Sequence, residues 1–188
     1  MECDQGFFLT HGWDKKLPNR AVENLGSDFL FPEIKYKFHA CCHGLHSFLE
    51  ALEELKQENN FNPDTIEEIA IETNPSWLKV CNIEKPKTGL EAKFSYKLTA
   101  AMSIYGKDTA DLDTYCDEIC FDENMNGIRD KVKVIPNDQL TNTQSLISIK
   151  DGTKDIANKH DLSDKIEQKI LETKIINKSV SLLSQIKS

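Results

Sequence analysis

The chain has 188 residues and a net charge of −8 without a basic block, which suits one domain, or one and a half, with a sizeable core and argues against nucleic acid as a partner. No apolar run approaches the length of a membrane span, so no membrane partner is expected. The N-terminus, Met1-Glu2-Cys3-Asp4, lacks the charged-then-apolar plan of a signal peptide, and we therefore expect a cytoplasmic protein whose cysteines are reduced.

The first third of the chain contains one predicted strand and one strong predicted helix. Glycines and a proline interrupt residues 1–30, so we expect a lead-in whose aromatic side chains lack a packing partner. Strict alternation over residues 34–38 predicts a half-buried strand with both lysines on its outer face. A helical period then begins, with an inward stripe of Leu45, Phe48, Leu49, Leu52 and Leu55. The opposite, outward face is expected to carry Glu50, Glu53, Glu54 and Lys56.

The middle third alternates again between turn, strand and helix patterns. Asn62-Pro63-Asp64 predicts a turn, and residues 68–73 alternate as a strand does. Thr88 and Glu91 form a capping box in which each side chain would accept from the other residue's free N–H group. The helix that opens there ends at Gly106. Its apolar positions are Leu90, Phe94, Leu98 and Met102.

The last part of the chain completes an α+β pattern. A short helix is predicted over residues 110–119, and a final helix over residues 164–185. Three strands lie between them, the last two joined by a hairpin turn at Asp151-Gly152; they cover residues 131–135, 145–149 and 153–157. This order predicts an α+β fold with helices packed on one face of a mostly antiparallel sheet.

The densest chemistry lies in residues 37–46, KFHACCHGLH, where the predicted strand gives way to a helix. This run holds three of the five histidines and two of the six cysteines. Unpaired N–H groups at a helix start favour anions. The run is therefore the candidate site.

Metal binding is a weak explanation of this composition. Adjacent cysteines cannot easily face one zinc ion, and the spacing fits no zinc template. The residues considered are His39, Cys41, Cys42, His43 and His46. Cys116 and Cys120 are better explained by core packing. A calcium loop at residues 122–127 is rejected because Lys133 occupies the position of its final acid, so this segment is predicted to be a polar turn.

Two other chemistries remain open. Cys42 and His46 lie one helical turn apart, which permits a contact between a thiol nucleophile and a base, although a buried cysteine beside a capping histidine explains the spacing equally well. Alternatively, Lys37 and Lys93 flank two helix starts and suit a carboxylate substrate that loses a proton. From the residues alone, a solvated Lys37 is the commoner outcome.

Three segments resemble the MmgE/PrpD family. Residues 37–46 resemble its K-x-[YFH]-[PA]-x-C-x-x-x-H segment, and residues 86–95, PKTGLEAKFS, resemble its P-x-T-G-x-E-A-K-F-S segment. Gln5-Gly6-Phe7-Phe8 with Thr10-His11-Gly12 resembles the Q-G-F-x-x-T-H-G that ends the family's first domain. The order and spacing of these segments agree over almost the whole chain.

The resemblance implies an architecture and an assembly. Family members have a helical domain followed by a smaller α+β lid domain, with the active site in the cleft between them. Residues 1–30 would be the remnant of the helical domain and its linker, and residues 31–188 the lid domain. The resemblance also implies a homodimer, no metal or organic cofactor, and a helical half as the partner of this lid.

The resemblance also implies a class of reaction. The family includes 2-methylcitrate dehydratase, cis-aconitate decarboxylase and an epimerase of an iminodisuccinate-type substrate. The chain would then be the lid half of a carboxylate dehydratase, a lyase that acts on a small di- or tricarboxylate. The alternatives are an epimerase or decarboxylase of the same family, or a truncated or split product that is inactive alone.

Site residues carry over position by position. The resemblance implies that Lys37 binds a substrate carboxylate and that His46 assists proton transfer. Cys42 stands where the decarboxylase has a histidine and is a further catalytic candidate, and Lys93 is a second substrate-binding cation. A tyrosine that some members place in the helix of the second segment would fall at or near Leu98, two positions after Tyr96.

Overall fold

The computed structural model describes residues 37–152 and 154–161, with Asn24, Gly26 and Ser27. The chain divides into two units, Met1–Tyr36 and Lys37–Ser188. The predictions for residues 1–30, for most of the strand at 34–38 and for the final helix at 164–185 lie outside the described residues. The end of that predicted strand is described and is irregular: neither Lys37 nor Phe38 is in a strand.

A four-stranded mixed sheet forms the centre of the second unit. Its strands are β1 (Ile66–Thr73), β2 (Val132–Pro136), β3 (Gln144–Asp151) and β4 (Lys154–Asp161). The spatial order is β2-β1-β3-β4; β1 pairs in parallel with β2 and antiparallel with β3, and β3 pairs antiparallel with β4. The predicted α+β class and mostly antiparallel sheet are confirmed. The strand predictions in this part of the chain are confirmed, and β4 extends beyond residue 157.

The sheet buries one face and joins its last two strands by a tight turn. Ile69 and Ile71 of β1 and Ile147 and Ile149 of β3 are buried, as alternation requires. At the predicted hairpin, Asp151 pairs directly with Lys154. Gly152 between them has φ +59°, a left-handed conformation that glycine adopts without strain.

The first long helix, α1 (His46–Glu58), packs against β3 and β4, as well as against the later helix at Tyr96–Ile104. All five leucine and phenylalanine side chains of the predicted stripe are buried, so this prediction is confirmed. The placement of Glu50 on the outward face is wrong, because the residue is 7% exposed and its carboxylate interacts with buried His39.

A four-residue helix, α2 (Pro75–Leu78), follows β1. The single helix predicted to run to Gly106 is instead two helices, α3 (Gly89–Ala92) and α4 (Tyr96–Ile104). Thr88 caps α3 as predicted, but the Glu91 carboxylate accepts from the Lys87 amide rather than from that of Thr88. The Ser95 hydroxyl accepts from the Leu98 amide at 3.2 Å and starts α4. Gly106, with φ +68°, follows α4 as expected.

Two local predictions before β2 are wrong. Residues 110–119 form turns, and only Glu118–Cys120 is a 3₁₀ turn, because the Asp108 and Asp111 carboxylates accept nearby backbone N–H groups and compete with a helix. The predicted polar turn after Phe121 is instead helix α5 (Glu123–Arg129), since Asp122 accepts from the Met125 amide and caps it. No helix within the described ranges is long and apolar enough to cross a membrane.

Candidate functional site

The candidate run is divided between an irregular segment, residues 37–42, which we call the cysteine loop, and a 3₁₀ turn at His43–Leu45 that leads into α1. Two backbone hydrogen bonds fix this loop. The Ala40 amide donates to the Thr109 carbonyl at 2.8 Å, and the Cys42 amide donates to the Lys93 carbonyl at 2.9 Å. The second bond joins the two segments that carry the family resemblance.

Two predicted site lysines converge on the cysteine loop. Lys37 Nζ donates to the Cys41 carbonyl at 3.1 Å, and Lys93 Nζ lies 5.5 Å from the centroid of the Tyr115 ring. Burial raises the pKa of the Cys41 thiol to about 12, while the charges of both lysines oppose that rise. Neither lysine forms an ion pair with a carboxylate in the part of the chain that the structure describes. One cation of the loop, Lys37, and a second from the neighbouring segment, Lys93, therefore both act on Cys41.

Cys42 is the less buried of the two thiols of the loop. It is half-buried, and hydrogen bonding from Cys81 is the largest of the effects that lower its pKa to about 6. The Gly44 and His43 amides and the Lys37 charge act in the same direction, against the effect of burial. The same interaction raises the pKa of Cys81, which is fully buried. The interaction therefore favours the thiolate form at Cys42 and the protonated thiol at Cys81.

His39 belongs to a buried polar pair rather than to an open site. Its Nε2 lies 3.2 Å from Glu50 Oε1, and its Nδ1 lies 2.7 Å from Thr109 Oγ1. All three side chains are buried. These contacts hold the cysteine loop against α1 and the turn after α4.

His46, the predicted proton-transfer residue, is fully buried. Neither of its ring nitrogens has a hydrogen-bond partner among the described residues. Burial, as the largest cause, and the charges of His39 and His43 together lower its pKa to about 3; the ring centroids of both residues are 5.1 Å from that of His46. The nearby Cys41 carbonyl acts in the opposite direction. His46 is thus neutral and packed beneath the loop, without surface for a substrate.

Two aromatic residues hold the site together: Tyr96, two positions before the place expected for the family's tyrosine, and Trp77, which the sequence does not single out. The Tyr96 hydroxyl donates to the Gly44 carbonyl at 2.8 Å and lies 3.1 Å from Thr73 Oγ1. Gly44 is flush against Trp77, since a Cβ atom there would lie 2.5 Å from the indole. Leu98, at the position of the family's tyrosine, is fully buried. No spacing in the sequence indicates these contacts, because each joins distant segments.

No group of three or more metal-ligating side chains comes together within residues 37–152 and 154–161 in a way that could hold an ion. Of the other cysteines in the described part of the chain, Cys120 is buried and its thiol donates to the Thr88 carbonyl at 3.3 Å, as core packing predicts. Cys116 is exposed, so its predicted place in the core is wrong.

Comparison with known families supports the resemblance independently of these contacts. The MmgE/PrpD C-terminal domain matches residues 39–186 of the chain. The chain belongs to the MmgE/PrpD family. The match covers the second resembling segment completely and the first from its third residue onward. No curated protein matches the chain.

Proposed function

We propose that this chain is the lid half of an MmgE/PrpD lyase of the 2-methylcitrate dehydratase type, acting on a small di- or tricarboxylate. The observation that carries the proposal is that the charges of Lys37 and Lys93 both act on Cys41 of the cysteine loop, with Lys37 Nζ donating to the Cys41 carbonyl. Two cations at one loop suit a substrate with more than one carboxylate.

The chemistry asked of the site is loss of a proton next to a carboxylate. Lys37 and Lys93 would hold the carboxylates and stabilise the negative charge that develops as the proton leaves. The Cys42 thiolate is half-buried and has a pKa of about 6, which suits a base that works near neutral pH. A helical half of the family would supply the acid that protonates the departing hydroxyl group.

His46 is proposed to position this site rather than to touch the substrate. Its ring is buried and neutral, directly before the leucines that anchor α1 in the core. It therefore supports the loop from below, and Cys42 takes the proton-transfer role.

A binding experiment tests the proposal on the chain as it stands. Calorimetric titration with 2-methylcitrate should show binding by the wild type. Lys37→Ala and Lys93→Ala should each weaken that binding on the order of tenfold, which corresponds to a loss of about 1.4 kcal/mol. Lys133→Ala is the matched control, because Lys133 is exposed on β2 and paired with Glu68. Equal affinities for all three variants, or no binding by the wild type, would overturn the carboxylate site.

The reaction itself is tested with a helical half of the family added to this chain. We expect loss of water from 2-methylcitrate, with cis-aconitate and an iminodisuccinate-type compound as competing substrates. Cys42→Ala should reduce kcat much more than it raises KM, because a base acts in the transition state. If only cis-aconitate is converted, the proposed dehydratase activity is wrong and the activity is that of a decarboxylase.

A further inference from the structure

Cys42 and Cys81 come from distant parts of the chain but are fastened to the same short segment. The Cys42 amide donates to the Lys93 carbonyl at 2.9 Å. Asn82, which follows Cys81, forms an isolated antiparallel bridge with Ser95. The backbones on either side of the two thiols are therefore held in a fixed relation by hydrogen bonds that do not involve sulfur.

The side chains around the pair fix the position of the buried thiol. Cys81 Sγ donates to the Trp77 carbonyl at 3.4 Å, and Tyr96 borders Cys81 while bonding the Gly44 carbonyl. Cys42 and Cys81 are neighbours, since each is the first cause of the pKa shift of the other. Cys42 is half-buried, whereas Cys81 is fully buried.

We infer that Cys42 and Cys81 are a redox-active thiol pair that closes to an intramolecular disulfide when the protein meets a hydroperoxide. The Cys42 thiolate attacks the terminal peroxide oxygen, the O–O bond breaks, and the leaving alkoxide or hydroxide takes up a proton. Cys42 becomes a sulfenic acid. Cys81 sulfur then attacks the Cys42 sulfur, its proton leaves with the hydroxyl group as water, and the S–S bond forms. Two thiols are oxidised by two electrons, and one peroxide is reduced.

The neighbouring cysteine is excluded from this chemistry by its surroundings. Cys41 is buried, its thiol donates to the Cys42 carbonyl at 3.7 Å, and it interacts with Tyr115. Burial raises its pKa to about 12, so it is a thiol where Cys42 is a thiolate. The order of attack follows from burial: half-buried Cys42 meets the peroxide, and fully buried Cys81 resolves the product.

The consequence is reversible loss of the Cys42 thiolate from the site. Closing the disulfide consumes the group to which the proposed reaction assigns the proton, and reduction by a dithiol restores it. The inference does not need the lyase proposal, because the readout below is covalent and requires no substrate.

The experiment treats the full 188-residue chain with hydrogen peroxide, blocks the remaining thiols and maps the products by mass spectrometry. We expect a loss of two hydrogen atoms and a peptide pair linked through Cys42 and Cys81. Cys42→Ser should abolish the product. Cys81→Ser should leave a Cys42 sulfenic acid that dimedone traps. Cys81→Ala should give the same result, and circular dichroism of both variants checks that they are folded.

Cys41→Ser and Cys120→Ser are the matched controls and should form the Cys42–Cys81 link at the wild-type rate. Oxidation of wild-type Cys42 to sulfenic or sulfinic acid without the link would overturn the inference. A link from Cys81 to Cys41, or one between two chains, would do the same. Dithiothreitol should return the linked form to its original mass.

Discussion

The Tyr96 hydroxyl donates to the Gly44 carbonyl oxygen at 2.8 Å and so ties the start of α4 to the turn that follows the cysteine loop. Both residues are buried. Tyr96→Phe removes the donor while keeping the ring, so we expect it to lower the free energy of unfolding by about 1–3 kcal/mol. Tyr105→Phe, on a partly exposed side chain at the end of α4, should change it by less than about 0.5 kcal/mol. Urea denaturation measures both; equal losses would show that the bond adds nothing.

Gly89 is required by space rather than by conformation. A Cβ atom there would lie 2.1 Å from the Tyr115 carbonyl oxygen, a backbone atom that cannot move aside cheaply. Gly89→Ala should therefore destabilise the fold by about 1–3 kcal/mol. Gly127→Ala is the control, since nothing lies within 4 Å of its added carbon and it is inside α5, where alanine stabilises by about 0.5–1 kcal/mol. Shifts of the same sign in the two melting temperatures would contradict this reading.

Removing one partner of the buried contact between His39 and Glu50 should lower the free energy of unfolding. Glu50→Ala removes the carboxylate 3.2 Å from His39 Nε2 and leaves that nitrogen buried, which we expect to cost about 2 kcal/mol. Glu58, at the exposed end of the same helix, provides the comparison, because Glu58→Ala should be neutral within about 0.5 kcal/mol. Guanidinium denaturation of both variants at neutral pH makes the measurement.

His46 should make stability depend on pH. Its folded pKa of about 3 lies below the ordinary value of 6.5, so the unfolded chain binds a proton first as the pH falls. Stability from this residue is complete above pH 6.5 and falls below it, with a slope that approaches 1.4 kcal/mol per pH unit. From pH 7.5 to pH 5, wild type should lose about 2 kcal/mol more than His46→Leu. His46→Gln repeats the test if the leucine variant does not fold; parallel pH curves would contradict it.

Cys42 should stand apart from the other thiols in alkylation. Its rate with iodoacetamide should rise through pH 6, where the thiolate forms, whereas buried Cys41 should remain unlabelled. Cys81→Ala removes the largest cause of the lowered pKa and should move the Cys42 midpoint upward. Peptide-level mass spectrometry across pH 5 to 9 gives the profile, and an unchanged midpoint would remove Cys81 as the partner.

Local periodicity predicts the elements whose energetics are dominated by burial. Helix α1 follows from its leucine and phenylalanine stripe, and β1 and β3 follow from alternation. Each pattern places on one face the side chains that are buried in the fold. The interruption between α3 and α4 could not be read in this way. Ser95 is a weak signal in sequence, and only its bond to the Leu98 amide makes it a helix start.

The candidate site was harder to predict than the fold because its contacts join distant segments. The Cys41-Cys42 run and the two lysines are visible in the sequence as dense chemistry. Nothing in the spacing indicates that Cys81 would meet Cys42, or that Glu50 would turn inward to His39. Those contacts depend on tertiary packing, which overrides the helical face that charge alone predicts.

The parallel pairing of β1 with β2 has a kinetic consequence. These neighbouring strands are separated in the chain by residues 74–131, a crossover that carries Trp77, Cys81 and Lys93. Such a long loop closes slowly, whereas the β3–β4 hairpin forms from adjacent residues. We therefore expect the hairpin to precede the β1–β2 ladder during refolding. Until that ladder forms, the crossover is not packed against the sheet. The thiols of Cys81, Cys116 and Cys120 are then accessible to chaperones, alkylating agents and incorrect disulfide partners.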